Sequence, residues 1–352
     1  MARIAILGSR GIPNAYGGFE WLAEKLALYF SASGHQVLVS RSSRHPDKDT
    51  SAANLDIVNI FDPPIGAAGQ FIYDLLSIMK TRKWKPDAIL LLGYTSSAIW
   101  SNLLPGNCQI VQHMDGLEWK REKYTAPVRR FLRWSERTAA SAADILIADH
   151  PVIHSYLTEK YPLAQITYIA YGEDDTSVTP KPPEHWKDRI FDLVMARLEP
   201  ENQIETIIKG WIQANSPAEL IIAGSTDTNH GRFLKKKYCQ TPNIQFIGSV
   251  FKKEHALWLR KNCRYYLHGH SAGGTNPSLI QVLSHHRRVL AHRNPFNQYL
   301  ADMYGFPTFR NADELSHQLH LDPPKGIPVL RAEHQWNTIY KHYEKILLRE
   351  RI

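Results

Sequence analysis

Cysteine is scarce in this chain of 352 residues: the three present, Cys108, Cys239 and Cys263, lie far apart with no CxxC spacing. That scarcity excludes a disulfide framework and a structural zinc site, and it fits a reducing compartment such as the cytoplasm. No apolar run is long enough to read as a membrane span. The most lipid-like stretch, AILLLGYTSSAIWSNLL from Ala88 to Leu104, is broken by Gly93, Tyr94, Thr95, Ser96 and Ser97 and reads as strand, turn and helix. The opening MARIAILGSRG has one early arginine and a short apolar run, which predicts a first strand rather than a signal peptide. No low-complexity segment occurs. The dinucleotide fingerprint GxGxxG is missing where it would be expected, after the first strand, which argues against an oxidoreductase.

What is present suits a soluble globular protein of more than one core. Hydrophobic residues make up 43% and charged residues 22% of the chain, and its length predicts two domains of roughly 150 to 200 residues each. The formal charge of +8 favours polyanions, anionic membrane surfaces or phosphorylated small molecules. Nucleic acid is not expected among the partners, because no recognition motif accompanies the charge.

Short apolar runs recur at RIAILG, VLVS, LDIVNI, AILLL, QIVQHM, ILIAD and QITYIA, separated by helical periodicity such as FEWLAEKLALYF. Strands alternating with helices predict a parallel sheet covered on both faces. The pattern restarts after the proline-rich, charged stretch DDTSVTPKPPEHWKD, with FDLVMA, ELIIAG, IQFIG, YYLHG and RVLAH. The expected organisation is therefore an α/β chain of two Rossmann-like domains, 1–173 and 189–330, joined by a linker at 174–188. The segment 331–352 places Trp336, Ile339, Tyr340, Tyr343 and Ile346 at steps of three and four, which predicts an amphipathic helix.

In an open α/β sheet, ligands sit beyond the carboxyl ends of the strands. The stretch HGHSAGGTNPSL is such a loop. Asn276 is a fitting helix N-cap and Pro277 falls at the first helical position. Gly273 and Gly274 let backbone approach a ligand, and exposed amides at a helix start suit phosphate. A second glycine-rich loop, GSRGIPNAYGGFEW, follows the first strand and carries Gly17 and Gly18. In MARLEPENQIETIIKG, Arg197 ends a strand ahead of a helix expected to begin near Glu201, a position suited to bidentate phosphate contact.

Taken together, GSRGIPNAYGGFE, MDGLEWKR, ARLEPEN and GGTNPSL…NPFN, in this order between residues 8 and 297, resemble the retaining GT-B glycosyltransferases of family 4. Within that family they are similar to the bacterial polysaccharide rhamnosyltransferase-like group. The resemblance implies two domains facing a cleft, a dTDP- or UDP-linked sugar donor held mainly by the C-terminal domain, and an acceptor at the N-terminal domain. It also implies a last helix that crosses back to the first domain, and no cofactor besides the nucleotide sugar. Arg197 matches the family's diphosphate arginine, whereas Asn202 stands at its lysine position. The family's two acids fall on Gly273 and Gln281; Gly274, Thr275 and Asn276 complete the implied donor loop.

On the acceptor side, VQHMDGLEWKREKY clusters three ionisable groups after a strand. His113 or Asp115 is expected to orient the donor sugar or reacting hydroxyl, and Glu118 to help hold the acceptor. The resemblance implies front-face attack through an oxocarbenium-like state without a metal. The one DxD, Asp47-Lys48-Asp49, lies in a polar stretch and reads as a solvated loop. From Thr125, a helix would gather Arg129, Arg130, Arg133 and Arg137 within about 100° of one another, with Val128, Phe131, Leu132, Ala139 and Ala142 opposite. Such a face is either plainly solvated or suited, with Trp119 and Trp134 nearby, to an anionic membrane or a lipid-diphosphate acceptor. The helix KKEHALWLRKNCR is expected to pack through Ala256, Leu257 and Leu259. The leading expectation is a transferase that extends a lipid-linked surface glycan, such as lipopolysaccharide or capsule, at the cytoplasmic face of a membrane. The alternatives are a nucleotide-sugar epimerase and a non-catalytic binder of sugar nucleotide or glycan.

Overall fold

The computed structural model describes residues 1–15, 17–46, 53–121, 124–173, 178–184, 186–271, 274–285, 288–321 and 328–348. The chain divides into two compact units, the first made of Met1–Lys120, Tyr124–Tyr171 and Trp336–Ile352, the second of Arg121–Lys123 and Gly172–Gln335.

The first unit holds seven strands: β1 (Arg3–Leu7), β2 (Gln36–Ser42), β3 (Leu55–Ile60), β4 (Ala88–Leu92), β5 (Gln109–His113), β6 (Ile145–Ala148) and β7 (Gln165–Tyr168). They form one parallel sheet in the order β3-β2-β1-β4-β5-β6-β7. Every residue of β4 and β5 is buried, as strands covered on both faces require, whereas β3 at the edge alternates between covered and open positions. Its helices are α1 (Gly18–Ala32), α2 (Ala67–Trp84), α3 (Ala126–Ala142), α4 (Pro151–Lys160) and, from the end of the chain, α11 (Trp336–Leu347).

Helix α11 starts at Trp336, five residues later than the amphipathic pattern suggested, after a tight turn at Ala332–His334. Trp336, Ile339, Tyr343 and Ile346 join Trp21, Leu26 and Phe30 of α1 in one core. Tyr340 stacks on Tyr29 at 4.3 Å between ring centres, and Gln109 on β5 donates to the Ile346 carbonyl at 2.6 Å. In α3, the expected buried face is displaced. Leu132, Ser135, Glu136, Ala139 and Ala140 are buried, while Val128 and Trp134 are exposed. The reason is Glu136, whose partners lie on the protein side and turn that edge of the helix inward.

The second unit holds β8 (Phe191–Met195), β9 (Glu219–Ala223), β10 (Ile244–Gly248), β11 (Tyr266–His268), β12 (Val289–His292) and β13 (Thr308–Phe309), in the order β10-β9-β8-β11-β12-β13. β13 was not expected, because two residues carry no periodicity. The helices are α5 (Ile204–Gln213), α6 (Asn229–Tyr238), α7 (Lys253–Asn262), α8 (Pro277–Leu283), α9 (Pro295–Tyr304) and α10 (Ala312–Gln318). The helix expected near Glu201 begins at Ile204 instead, because a tight turn at Pro200–Asn202 and a left-handed Gln203, φ 50°, intervene. Ala256, Leu257 and Leu259 are the buried side of α7. Trp186, inside the stretch read as a linker, packs edge-on against Phe191 in the core of this unit. No described helix is long and apolar enough to cross a membrane.

Each sheet grows outward in both directions from a central pair, β1 with β4 and β8 with β11. At such switch points the following loops diverge to opposite faces and leave a crevice at the carboxyl edge.

The second unit is pinned by one buried carboxylate. Asp192, 0% exposed on β8, accepts from Arg264 Nε at 2.9 Å and Nη2 at 2.6 Å, from Trp211 Nε1 at 2.9 Å and from the Tyr265 amide at 3.1 Å. Removing it strands a guanidinium and an indole N–H around an apolar cavity. Asp192→Ala should cost about 3–5 kcal/mol in urea-induced unfolding of this unit, against less than about 0.5 kcal/mol for an exposed control such as Lys236→Ala.

Candidate functional site

In the second unit the loops after β8, β11 and β12 are laced together by side-chain amides and one serine. Asn202, 2% exposed, donates to the Arg197 carbonyl at 2.7 Å, and its Oδ1 bonds His270 Nδ1. Both the amide and the hydroxyl of Ser271 donate to the Glu201 carbonyl, at 2.9 and 2.7 Å. Asn294 and Asn297 each donate to the carbonyls of His270 and His292, over 2.7–3.1 Å. Gly269 lies so close to the Asn202 carbonyl that any Cβ there would collide with it. Loops that would otherwise carry unsatisfied carbonyls are held rigid in this way.

Arg197 is the exception in this lacing. Its backbone is fixed, but its side chain is exposed, and among the described residues its guanidinium has no partner. Asn202, one of the expected donor contacts, is buried, and its amide bonds the Arg197 carbonyl and His270. Asn276 caps α8 by accepting the Ser278 amide at 2.9 Å, with Pro277 first in the helix. Gly274 is half-buried beside this cap and Thr275 is buried. Gln281, one turn further along α8, is 8% exposed. Gly273 lies outside the described residues, as do Asp47 and Asp49.

In the first unit the glycine-rich loop is tied back onto its own helix. Glu20 accepts the Arg10 amide at 2.9 Å, Glu24 accepts the Asn14 amide at 2.8 Å, and Asn14 Oδ1 accepts the Gly17 amide at 3.3 Å. The Arg10 side chain pairs with buried Asp62, which also accepts from the Ser42 hydroxyl at 2.6 Å. Gly8 and Gly11 have φ of +90° and +109°, and a Cβ on either would strike Leu92 or Arg41. Gly17 differs. Its backbone is extended and a Cβ would meet only Glu20 Oε2 at 3.7 Å, so the protein's own packing does not demand glycine there.

Phe19, directly after Gly18, brings this loop to the end of β5, its ring 5.1 Å edge-on from that of His113. His113 is 1% exposed, and its Nδ1 accepts the Asp115 amide at 3.2 Å, which leaves the proton on Nε2. Burial lowers its pKa to about 4, although the Asp115 carboxylate opposes the shift. His113 is therefore a neutral donor at neutral pH. Asp115 takes a left-handed conformation, φ 54°, and Glu118 is buried. Trp119, expected near an acceptor or membrane, is held from within: its indole donates to Glu136 at 3.0 Å and Arg133 lies 4.6 Å above its ring.

Sequence reasoning missed two carboxylates behind this edge. Glu136, 1% exposed, also accepts from Lys160 at 2.6 Å and from Tyr156 and Tyr161 at 2.9 Å, joining α3, α4 and the Trp119 segment. Asp74 accepts from Ser96 at 2.5 Å and Gln70 at 2.9 Å, and burial raises its pKa to about 6. Neither showed a spacing that could have marked it. The two Asn-Pro pairs, Asn276-Pro277 and Asn294-Pro295, did carry a signal, since each caps a helix beside the laced loops. Among the described residues no cluster of three or more histidine, cysteine or acidic groups could hold a metal.

The pH dependence of stability tests the burial of His113. Between its ordinary pKa of 6.5 and about 4, the unfolded chain takes up a proton that folded His113 refuses, so acidification destabilises. Asp74 works the other way, since the folded carboxyl binds a proton between 3.8 and about 6 that the unfolded one has lost. The difference between wild type and His113→Gln cancels Asp74. The stability advantage of the wild type should shrink by about 3 kcal/mol from pH 7 to pH 4 in denaturant titrations. A constant difference would contradict the buried, neutral imidazole.

The architecture has counterparts among known proteins. Residues 1–174 match the family described as Domain of unknown function (DUF1972). No curated protein matches the sequence. Among solved structures, the sucrose-phosphate synthase tll1590 of Thermosynechococcus elongatus aligns with a TM-score of 0.75 at 16% identity, over 99% of this chain and 97% of that one. Alr3699/HepE of Anabaena, in complex with UDP and glucose, aligns at 0.68 with 14% identity over 99% of both chains. The UDP-GlcNAc 2-epimerase of Methanocaldococcus jannaschii aligns at 0.59 with 12% identity, again over 99% of both. With its two parallel α/β sheets, the chain has the GT-B fold.

Proposed function

We propose that the protein is a retaining, metal-independent glycosyltransferase of family 4, similar to the polysaccharide rhamnosyltransferases. It would move rhamnose or another hexose from a dTDP- or UDP-linked donor onto a growing lipid-linked bacterial glycan at the cytoplasmic face of a membrane. The observation that carries the reading is Arg197, an exposed cation without a partner among the described residues, on a backbone held by buried Asn202. A guanidinium fixed at its root and free at its tip suits a diphosphate. The fold supports the reading, and the UDP in the HepE structure fits it.

Departure of the nucleoside diphosphate leaves an oxocarbenium-like sugar, and the charge that develops falls on the leaving phosphate. Arg197 would meet that charge directly, with backbone amides at Gly274–Asn276 beside it. Because the backbone amides are held in place beforehand, they need little reorganisation as the bond breaks. In the first unit, the Nε2–H of neutral His113 would donate to a sugar hydroxyl without a protonation step, and Asp115 and Glu118 would orient the acceptor. Gln281, on the same helix as Asn276, would accept a donor hydroxyl through its amide oxygen, as a neutral group in place of an acid.

A non-catalytic binder is the second reading, favoured by Asn202, which brings no cation to the phosphates and spends its amide inside the protein. Titration with UDP, dTDP and GDP should raise the melting temperature for dTDP or UDP, and Arg197→Ala should abolish that shift. The same substitution should lower sugar transfer to a lipid-linked acceptor by ~100-fold or more. An unchanged rate removes Arg197 from the mechanism. Nucleotide binding without transfer to any acceptor supports the binder, and donor turnover without acceptor supports an epimerase.

A further inference from the structure

We propose that the outer corner of the first unit formed by the β3–α2 loop, α2 and α3 is a docking surface for an anionic lipid bilayer. Two independent features of that corner coincide.

The first is a set of uncovered apolar side chains from separate segments. Phe61 and Ile65, in the loop after β3, are 62% and 55% exposed. On α3, Trp134 is 47% and Val128 39% exposed. The segments meet: the Phe71 ring of α2 lies 5.9 Å from Phe131 of α3, which lies 5.7 Å from Trp134. In a parallel sheet with helices returning antiparallel, the loop after β3 and the starts of α2 and α3 share the carboxyl edge, where His113 and the glycine-rich loop also lie. Isolated surface hydrophobes are ordinary, but aromatic residues gathered from three segments at one edge are not.

The second feature is a complete separation of charge. Helix α2 has one carboxylate, Asp74, and α3 has one, Glu136; both are buried and bonded internally. The cations of α3 face outward instead: Arg130, Arg133 and Arg137 are all exposed, whereas Lys80, Arg82 and Lys83 lie in the last turns of α2, away from this corner. An ordinary solvated helix mixes exposed acids with exposed bases. A helix such as α3, whose one acid is internal and whose arginines are external, complements anionic headgroups, while Phe61, Ile65 and Trp134 suit the boundary between headgroups and acyl chains. The inference does not depend on the transferase reading, since docking needs neither donor nor acceptor.

The test is flotation of the full chain with vesicles of phosphatidylcholine alone and with phosphatidylglycerol added to about a third. Wild type should float with the anionic vesicles and stay behind with the neutral ones. Arg130→Glu with Arg137→Glu should weaken that partition by ~600-fold, at about fivefold for each cation lost and a similar factor for each charge reversed. Arg133 is left intact because it packs on Trp119. Phe61→Ser with Ile65→Ser should weaken binding with the charge unchanged, and Lys235→Glu with Lys236→Glu, on α6 of the second unit, should not. Circular dichroism and melting temperatures confirm that each variant is folded. Wild type that stays behind with anionic vesicles, or that floats equally after the arginine reversal, overturns the proposal; so does self-association that the same reversal abolishes while vesicle binding persists.

Discussion

The protein depends most on hydrogen bonds from side-chain amides to backbone carbonyls at the carboxyl edge of the second sheet. Asn202, Asn294 and Asn297 are each placed by their own short turn or helix start; Asn294 and Asn297 reach the His270 carbonyl in another loop, and Asn202 bonds the Arg197 carbonyl of its own loop and the His270 ring across from it. An amide carries two donors and an acceptor without charge, so it can satisfy buried carbonyls from two loops with little desolvation cost. The laced loops are therefore stiff, and the Arg197 side chain is left outside them.

The first unit reaches a similar rigidity through carboxylates rather than amides. Glu20 and Glu24 hold the glycine-rich loop from the first two turns of α1, and α1 is gripped in turn by the aromatic ladder of α11. Glu136 gathers four donors from two other segments and thereby fixes the turn that carries Glu118 and Trp119. Glu20 and Glu136 are buried, and each works because its partners share the cost of its charge.

The strands were legible in the sequence because buried parallel strands are continuous apolar runs, and twelve of the thirteen appeared as such; only Thr308–Phe309 was too short to show. Asn276, Pro277 and Arg197 were legible because caps and strand ends have local chemistry. What could not be read was long-range. Nothing near Glu136 in sequence predicts Tyr161, and nothing near Asn202 predicts His270. The buried face of α3 was misplaced for the same reason, since hydrophobicity alone would not put a glutamate inside. Nor could matching by position show that Asn202 is buried and bonded to its neighbours.

The glycine-rich loop contains two kinds of glycine that a sequence cannot tell apart. Gly8 and Gly11 are demanded by the chain itself, through left-handed backbone and through Leu92 and Arg41, whereas Gly17 has room beside it. Selection for folding alone would retain the first two and release the third. A glycine kept at position 17 in a lineage would therefore record the pressure of whatever the loop touches, and its loss elsewhere would mark descendants that keep the architecture after abandoning the chemistry.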